Sequence, residues 1–77
     1  MGKTRKIYVC DDDGYASELA LALMDKSTPF RVTPMPFDVF EFEIKEEIWD
    51  RWLSDAVTVY EIEQSPDRWE PKDDHGI

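Results

Sequence analysis

Hydrophobic and polar residues alternate most regularly in the sequence DVFEFEIK, from Asp38 to Lys45. Successive side chains of a strand point to opposite faces, so this pattern predicts a strand with one buried face. The residues expected on the core are Phe40, Phe42 and Ile44. The residues expected in water are Val39, Glu41, Glu43 and Lys45.

Two shorter stretches also favour extended structure. KIYVC, from Lys6 to Cys10, is rich in β-branched and aromatic residues and predicts a first strand. FRVT, from Phe30 to Thr33, predicts a second. PMPF, from Pro34 to Phe37, contains two prolines, so we expect a stiff link through which no central strand can pass.

The segment YASELALALMDK, from Tyr15 to Lys26, favours a helix because it is rich in Ala, Leu, Glu and Met and lacks β-branched residues. Leu19 and Leu23 are four positions apart and share one face. The leucines also alternate with small residues, so the second strand of a hairpin is an alternative. Pro29 prevents the helix from continuing.

Apolar residues recur at helical spacing between Lys45 and Gln64, which predicts one long helix. Glu46 and Glu47 suit its positive amino-terminal end. Val57, Thr58 and Val59 are less favourable in a helix, so a strand from Val57 to Ile62 stays open as an alternative.

These elements predict a small α+β fold in the order β-α-β-β-α, with a two- or three-stranded sheet packed against one or two helices. With 77 residues there is room for one domain, which we place at residues 1–70. Residues 71–77 are expected to form a flexible tail. Trp69 is a candidate to dock back onto the domain.

The charge is strongly negative and unevenly distributed. The chain has 18 acidic and 9 basic side chains, a formal net charge of −9. The whole excess falls after residue 34. Such a surface repels nucleic acid and anionic membranes and attracts basic proteins. A single cysteine, no signal peptide and no apolar run of roughly 20 residues lead us to expect a cytoplasmic protein.

The sequence IYVCDDDGYASELALAL resembles the opening of response-regulator receiver domains, where an apolar strand ends in two acids that hold magnesium. The resemblance covers residues 6–32. No later strand ends in an exposed phosphoryl-accepting aspartate, so phosphotransfer is not predicted. We interpret Asp11, Asp12 and Asp13 as a turn and helix cap, and as a secondary acidic patch, while weak binding of a cation stays open as an alternative.

No other group of residues predicts catalysis. A nucleophilic Cys10 would need a nearby base, and the only histidine is His75 in the expected tail. One Cys and one His cannot make a four-ligand zinc site. The prediction is therefore a non-enzymatic protein without metal or cofactor, in which Cys10 is buried and structural.

The remaining interpretation is a partner-binding surface in the acidic half of the chain. Alternate strand residues lie roughly 6.5–7 Å apart, a spacing comparable to that of backbone phosphates. Aromatic side chains are common interface anchors. The predicted contact residues are Glu41, Glu43, Glu47, Asp50, Asp55, Glu61 and Trp49.

This surface predicts a small inhibitor that occupies a basic, nucleic-acid-binding groove of a larger protein. We expect it to act in the cytoplasm, which would be that of the host cell if the protein is phage-encoded. Phage and mobile-element proteins of the anti-CRISPR and anti-restriction type are similarly small and acidic, although no motif marks such a family here. The alternative is a structural or accessory subunit that docks through its aromatic carboxy-terminal helix. A homodimer is also compatible with the sequence.

Overall fold

The computed structural model describes residues 2–65 and confirms the predicted α+β class. The elements, in chain order, are β1 (Thr4–Cys10), α1 (Tyr15–Asp25), β2 (Phe30–Met35), β3 (Val39–Lys45), α2 (Glu46–Arg51), a 3₁₀ turn (Leu53–Ala56) and α3 (Val57–Tyr60).

The three strands form one antiparallel sheet in the order β1-β3-β2. Phe42, at the centre of β3, is directly opposite Ile7 of β1 and Val32 of β2. Directly opposed residues share a face, so these three side chains lie on one side, which we call the inner face. The other side, which carries Tyr8, Glu41 and Glu43, is the outer face.

The core lies between the inner face and the helical segments. Each segment contributes apolar side chains, because removing apolar surface from water together is favourable. These side chains are Ile7, Val9, Phe42 and Ile44 from the sheet, Ala16, Leu19 and Leu23 from α1, Ile48 and Trp49 from α2, and Leu53 and Ile62 from the final segment.

The helix predicted from Tyr15 to Lys26 is present, and its leucines do not form a hairpin strand. Its first turn is fixed by Asp11, whose carboxylate accepts hydrogen bonds from the backbone N–H of Ser17 at 3.0 Å and from the Ser17 hydroxyl at 3.3 Å. Gly14 precedes the helix with a φ of 81°, a conformation that favours glycine. The predicted turn-and-cap role of this acidic stretch is thus visible at Asp11.

The single long helix predicted from Lys45 to Gln64 is wrong. The chain leaves helical geometry at Trp52, where φ is −152°, and continues as the 3₁₀ turn and α3. The alternative strand from Val57 to Ile62 is wrong as well, because Val57–Tyr60 is helical. Twenty helical residues would span roughly 30 Å, whereas a seven-residue strand spans roughly 23 Å. Bending at Trp52 lets Trp49, Leu53 and Ile62 all reach one core.

The predicted link from Pro34 to Phe37 is shorter than expected, because β2 continues through Pro34 to Met35. As expected of a strand that contains proline, β2 lies at the edge of the sheet. The tight turn into β3 places Phe37 at φ 65° and Asp38 at φ 60°. Aspartate tolerates this left-handed conformation better than phenylalanine does.

The burial of Val39 departs from the alternation of buried and exposed side chains predicted for β3. It lies on the outer face, as expected, yet its side chain is fully buried. Its strand partners are Cys10 and Met35, so the neighbouring positions on this face are apolar. Cys10 is half-buried rather than buried, and its thiol lies 3.9 Å from the carbonyl oxygen of Phe37.

A single bridge extends the sheet beyond β1. The backbone groups of Tyr8 and Glu63 exchange two hydrogen bonds, each 2.8 Å long. The predicted docking of Trp69 and the predicted flexible tail fall outside the described residues. None of the helices within residues 2–65 is long and apolar enough to cross a bilayer.

Candidate partner-binding surface

The predicted contact residues are divided between two sides of the molecule. Glu41 and Glu43 lie on the outer face of the sheet. Glu47 and Asp50 are exposed on α2, whose buried residues Ile48 and Trp49 contact the inner side. Asp55 and Glu61 are exposed farther along the chain. The strand acids and the α2 acids therefore belong to different elements of the fold.

The carboxylates of β3 are engaged by their cross-strand neighbours. Glu43 accepts a hydrogen bond of 2.9 Å from the Thr4 hydroxyl and lies 3.9 Å from the Arg31 guanidinium. Lys6 is its partner on β1. Glu41 accepts a 3.1 Å hydrogen bond from the Tyr8 hydroxyl. These interactions neutralise or satisfy both carboxylates in part.

Arg5 of β1 links the start of α2 to the segment that follows α3. Its guanidinium donates to both carboxylate oxygens of Glu46 and to the side-chain oxygen of Gln64, the latter at 2.7 Å. It also lies 4.7 Å from the centre of the Trp49 ring. The hydrogen bonds from Arg5 lower the pKa of Glu46, and the same bonds raise that of Arg5.

The exposed α2 acids also have basic neighbours. Glu47 lines a hollow together with Lys3 and Lys45. Asp50 acts electrostatically on Arg5. We call this region, which contains Arg5, Glu46, Thr4, Glu43 and Arg31, the paired end of the sheet.

The side chain of Trp49, a predicted contact residue, is buried. Its side chain is 8% exposed and belongs to the core cluster beneath Arg5. Trp52 is half-buried, with the Lys26 ammonium 5.0 Å from its ring centre. The aromatic residues predicted for partner docking are thus used within the fold, and the continuous helix that would present them is absent.

The opposite end of the sheet has a different character. Cys10 pairs with Val39, and the backbone N–H of Asp11 donates a 2.8 Å hydrogen bond to the carbonyl oxygen of Asp38. This bond places the Asp11–Asp13 turn beside the β2–β3 turn. We call these four aspartates, Asp11, Asp12, Asp13 and Asp38, the acid end.

Within residues 2–65, the carboxylates of the acid end have no cationic partner. Asp12, Asp13 and Asp38 are exposed, and the carboxylate of Asp11 accepts its hydrogen bonds from Ser17. Among the described residues, neither salt bridge involves any of the four. The strand register and the course of α1 place Lys3, Arg5, Lys45 and Lys26 toward the other end. This arrangement leaves a concentrated negative charge facing solvent.

An apolar groove begins next to the acid end. Its walls are α1 and β2, and β3 forms its floor. It has a volume of about 160 Å³ and is lined by Asp11, Ala16, Ser17, Ala20, Val32, Phe40 and Phe42. It is smaller than the roughly 300–1,000 Å³ of a typical small-molecule site.

The described residues contain no arrangement suited to metal binding. No group of three or more His, Cys, Asp or Glu side chains among residues 2–65 could hold a metal ion, and this includes the acid end. His75, the only histidine, is outside the described part of the chain. The arrangement that the fold does supply is a charged, exposed surface beside an apolar groove.

The sequence did not predict that Asp38 belongs to the acid end, nor that a groove lies between α1 and β2. Asp38 is distant in sequence from Asp11–Asp13 and becomes their neighbour only through the pairing of β1 with β3. The available signal was that Asp11 follows the predicted first strand and Asp38 begins the predicted third strand, so antiparallel pairing of these two strands would bring the two residues together. No family model, curated protein or solved structure matches this chain.

Proposed function

We propose that this chain is a small, acidic, non-enzymatic inhibitor that binds a basic, nucleic-acid-binding groove of a larger protein. The observation that carries the proposal is the acid end, where four aspartates lie in two adjacent turns and take part in neither salt bridge of residues 2–65. Carboxylates left unpaired at a surface are available to the arginine and lysine side chains that otherwise bind phosphates.

The proposed mechanism has an electrostatic step and a contact step. A net charge of −9 steers the chain toward a basic surface and accelerates encounter. The acid end then occupies the path of the nucleic-acid backbone. The exposed Glu47, Asp50, Asp55 and Glu61 remain predicted as a second contact area. The bonded Glu41 and Glu43 are expected to contribute less.

This mode of action is of the anti-CRISPR or anti-restriction type, in which an acidic protein acts as a nucleic-acid mimic. A phage or mobile-element gene would suit such a function. The inhibitor would then act in the cytoplasm of the host cell. The proposal requires no direct binding of nucleic acid and no membrane contact, because the net charge opposes both.

The first experiment identifies the partner. The immobilised chain captures proteins from cells that encode it, and duplex DNA or RNA is used to elute them. We expect a nucleic-acid-binding protein whose own binding to nucleic acid is lost when the chain is added. Raising salt from roughly 50 to 300 mM should weaken capture steeply, because exposed charges are screened.

The second experiment measures affinity for the purified partner with two variants of equal charge change. Asp12→Lys/Asp13→Lys alters the acid end, whereas Glu18→Lys/Asp25→Lys alters exposed positions of α1. We expect about tenfold or greater weakening for the first, equivalent to about 1.4 kcal/mol, and a much smaller change for the second. Equal weakening by both would contradict a specific role for the acid end.

A further inference from the structure

Helix α1 carries a second stripe of residues beside the one that forms the core, and two of its members are exposed and apolar. Its core residues are Ala16, Leu19 and Leu23. Ser17, Ala20, Leu21 and Met24 follow the spacing i, i+3, i+4, i+7 and therefore form an adjacent stripe on the same helix. Leu21 is 63% exposed and Met24 is 57% exposed. Exposed apolar residues in such a row favour contact with another molecule.

The second stripe borders the groove between α1 and β2. Ser17 and Ala20 line the groove from the helix, and Val32 lines it from β2. Val32 is 43% exposed although it lies on the inner face, so the core does not cover this part of the sheet. The groove volume of about 160 Å³ suits a single inserted side chain better than a small-molecule substrate.

The charge at the mouth of the groove indicates what its occupant carries. Asp11 lines one end, and the remaining aspartates of the acid end follow directly beyond it. A segment whose apolar side chain entered the groove would bring its neighbouring residue to these carboxylates. A basic neighbour would find favourable electrostatic interactions there.

Two other occupants are disfavoured by features of the chain. A second copy would also carry a net charge of −9, so the approach of two acid ends would be repulsive. Addition of a partner strand along the edge of β2 would be limited by Pro34, which has no N–H to donate.

We propose that the α1–β2 groove receives an apolar side chain from a short segment of a basic partner, while an adjacent lysine or arginine of that segment contacts Asp12, Asp13 or Asp38. This inference rests on the proposed function and specifies the chemistry of the recognised segment. The groove supplies an apolar contact that charge alone lacks, and this contact selects among basic partners.

Three short synthetic peptides test this recognition against the isotope-labelled full chain by NMR. One alternates leucine with lysine, one leucine with glutamate, and one serine with lysine. We expect the leucine–lysine peptide to shift the amide resonances of Ala20, Val32 and Phe40, with affinity about tenfold above that of either control. Equal binding of a control peptide, absence of binding, or shifts confined to other surfaces would overturn the proposal.

A matched pair of variants separates the groove from the charge. Val32→Glu places a carboxylate in the groove, and Val59→Glu makes the same change at an exposed position of α3. Val32→Glu should weaken binding of the leucine–lysine peptide about tenfold despite its added negative charge, and Val59→Glu should not. Dispersed amide resonances will verify that both variants are folded.

The remaining outcomes assign failure to one proposal or the other. Self-association that Val32→Glu abolishes would make a second copy the occupant and overturn the inference. If Val32→Glu binds the natural partner normally while Asp12→Lys/Asp13→Lys does not, the groove inference fails and the proposed function stands. If Asp12→Lys/Asp13→Lys also binds that partner normally, the proposed function fails.

Discussion

The two ends of the sheet contain similar acidic side chains, which have bonding partners at one end and are exposed at the other. At the paired end, Glu46 is held by Arg5, and Glu43 by Thr4 and Arg31. At the acid end, Asp12, Asp13 and Asp38 are exposed and form no salt bridge with any residue from 2 to 65. The comparison teaches that net charge does not locate a binding surface. Carboxylates that hold the fold together are partly neutralised, whereas unpaired ones remain available to a partner.

The largest effect on stability is expected from reversing the charge of Glu46. In Glu46→Lys, the new ammonium would face Arg5, and the bidentate interaction near Trp49 would be lost. We expect a clear decrease in the urea midpoint. Asp55→Lys, at an exposed position of the 3₁₀ turn, is the matched control and should change it little. Similar midpoints for both variants would show that the paired end is not structural.

A smaller effect is expected within the acid end itself. Asp11 accepts two hydrogen bonds from Ser17 in the first turn of α1, whereas Asp12 is exposed. Loss of a helix cap costs about 1 kcal/mol, so Asp11→Ala should lower the free energy of unfolding by about that amount. Asp12→Ala should stay within about 0.5 kcal/mol of the wild type. An equal loss of unfolding free energy in both variants would contradict the assignment of Asp11 as a helix cap and of Asp12 as an exposed acid.

The smallest effect is expected in the dependence of stability on pH. Arg5 lowers the pKa of Glu46 from its ordinary value of 4.5, so the folded state binds this proton less readily than the unfolded state. The contribution is therefore present above the ordinary pKa and is lost as pH falls through the lowered value. Glu46→Gln should flatten this part of the acid-denaturation profile. An unchanged profile would contradict the assignment to Glu46.

Periodicity predicted the parts of the fold in which one element has one buried face. β1, α1 and β3 lie close to their predicted positions, because each carries its own pattern of apolar residues. The break at Trp52 could not be predicted in this way. The helical spacing of Trp49, Trp52 and Leu53 continues across it, and only the limited length of the sheet makes a straight helix unsuitable.

The candidate surface was harder to predict because it depends on contacts between distant residues. Glu41 and Glu43 followed the expected alternation, yet their hydrogen bonds come from Tyr8 and Thr4 across the sheet. Tryptophan is a residue type common at interfaces, but Trp49 lies between Arg5 and the core. Asp38 joins Asp11 through a backbone hydrogen bond that sequence separation conceals.

The placement of the amino terminus has a practical consequence for how this molecule can be presented. The first strand starts at the paired end and reaches the acid end about 20 Å later, at Cys10. A bead, a fluorescent domain or a larger assembly joined to the first residues would therefore sit on the far side from the aspartates. Attachment there leaves the acid end exposed to solvent and accessible to a binding partner.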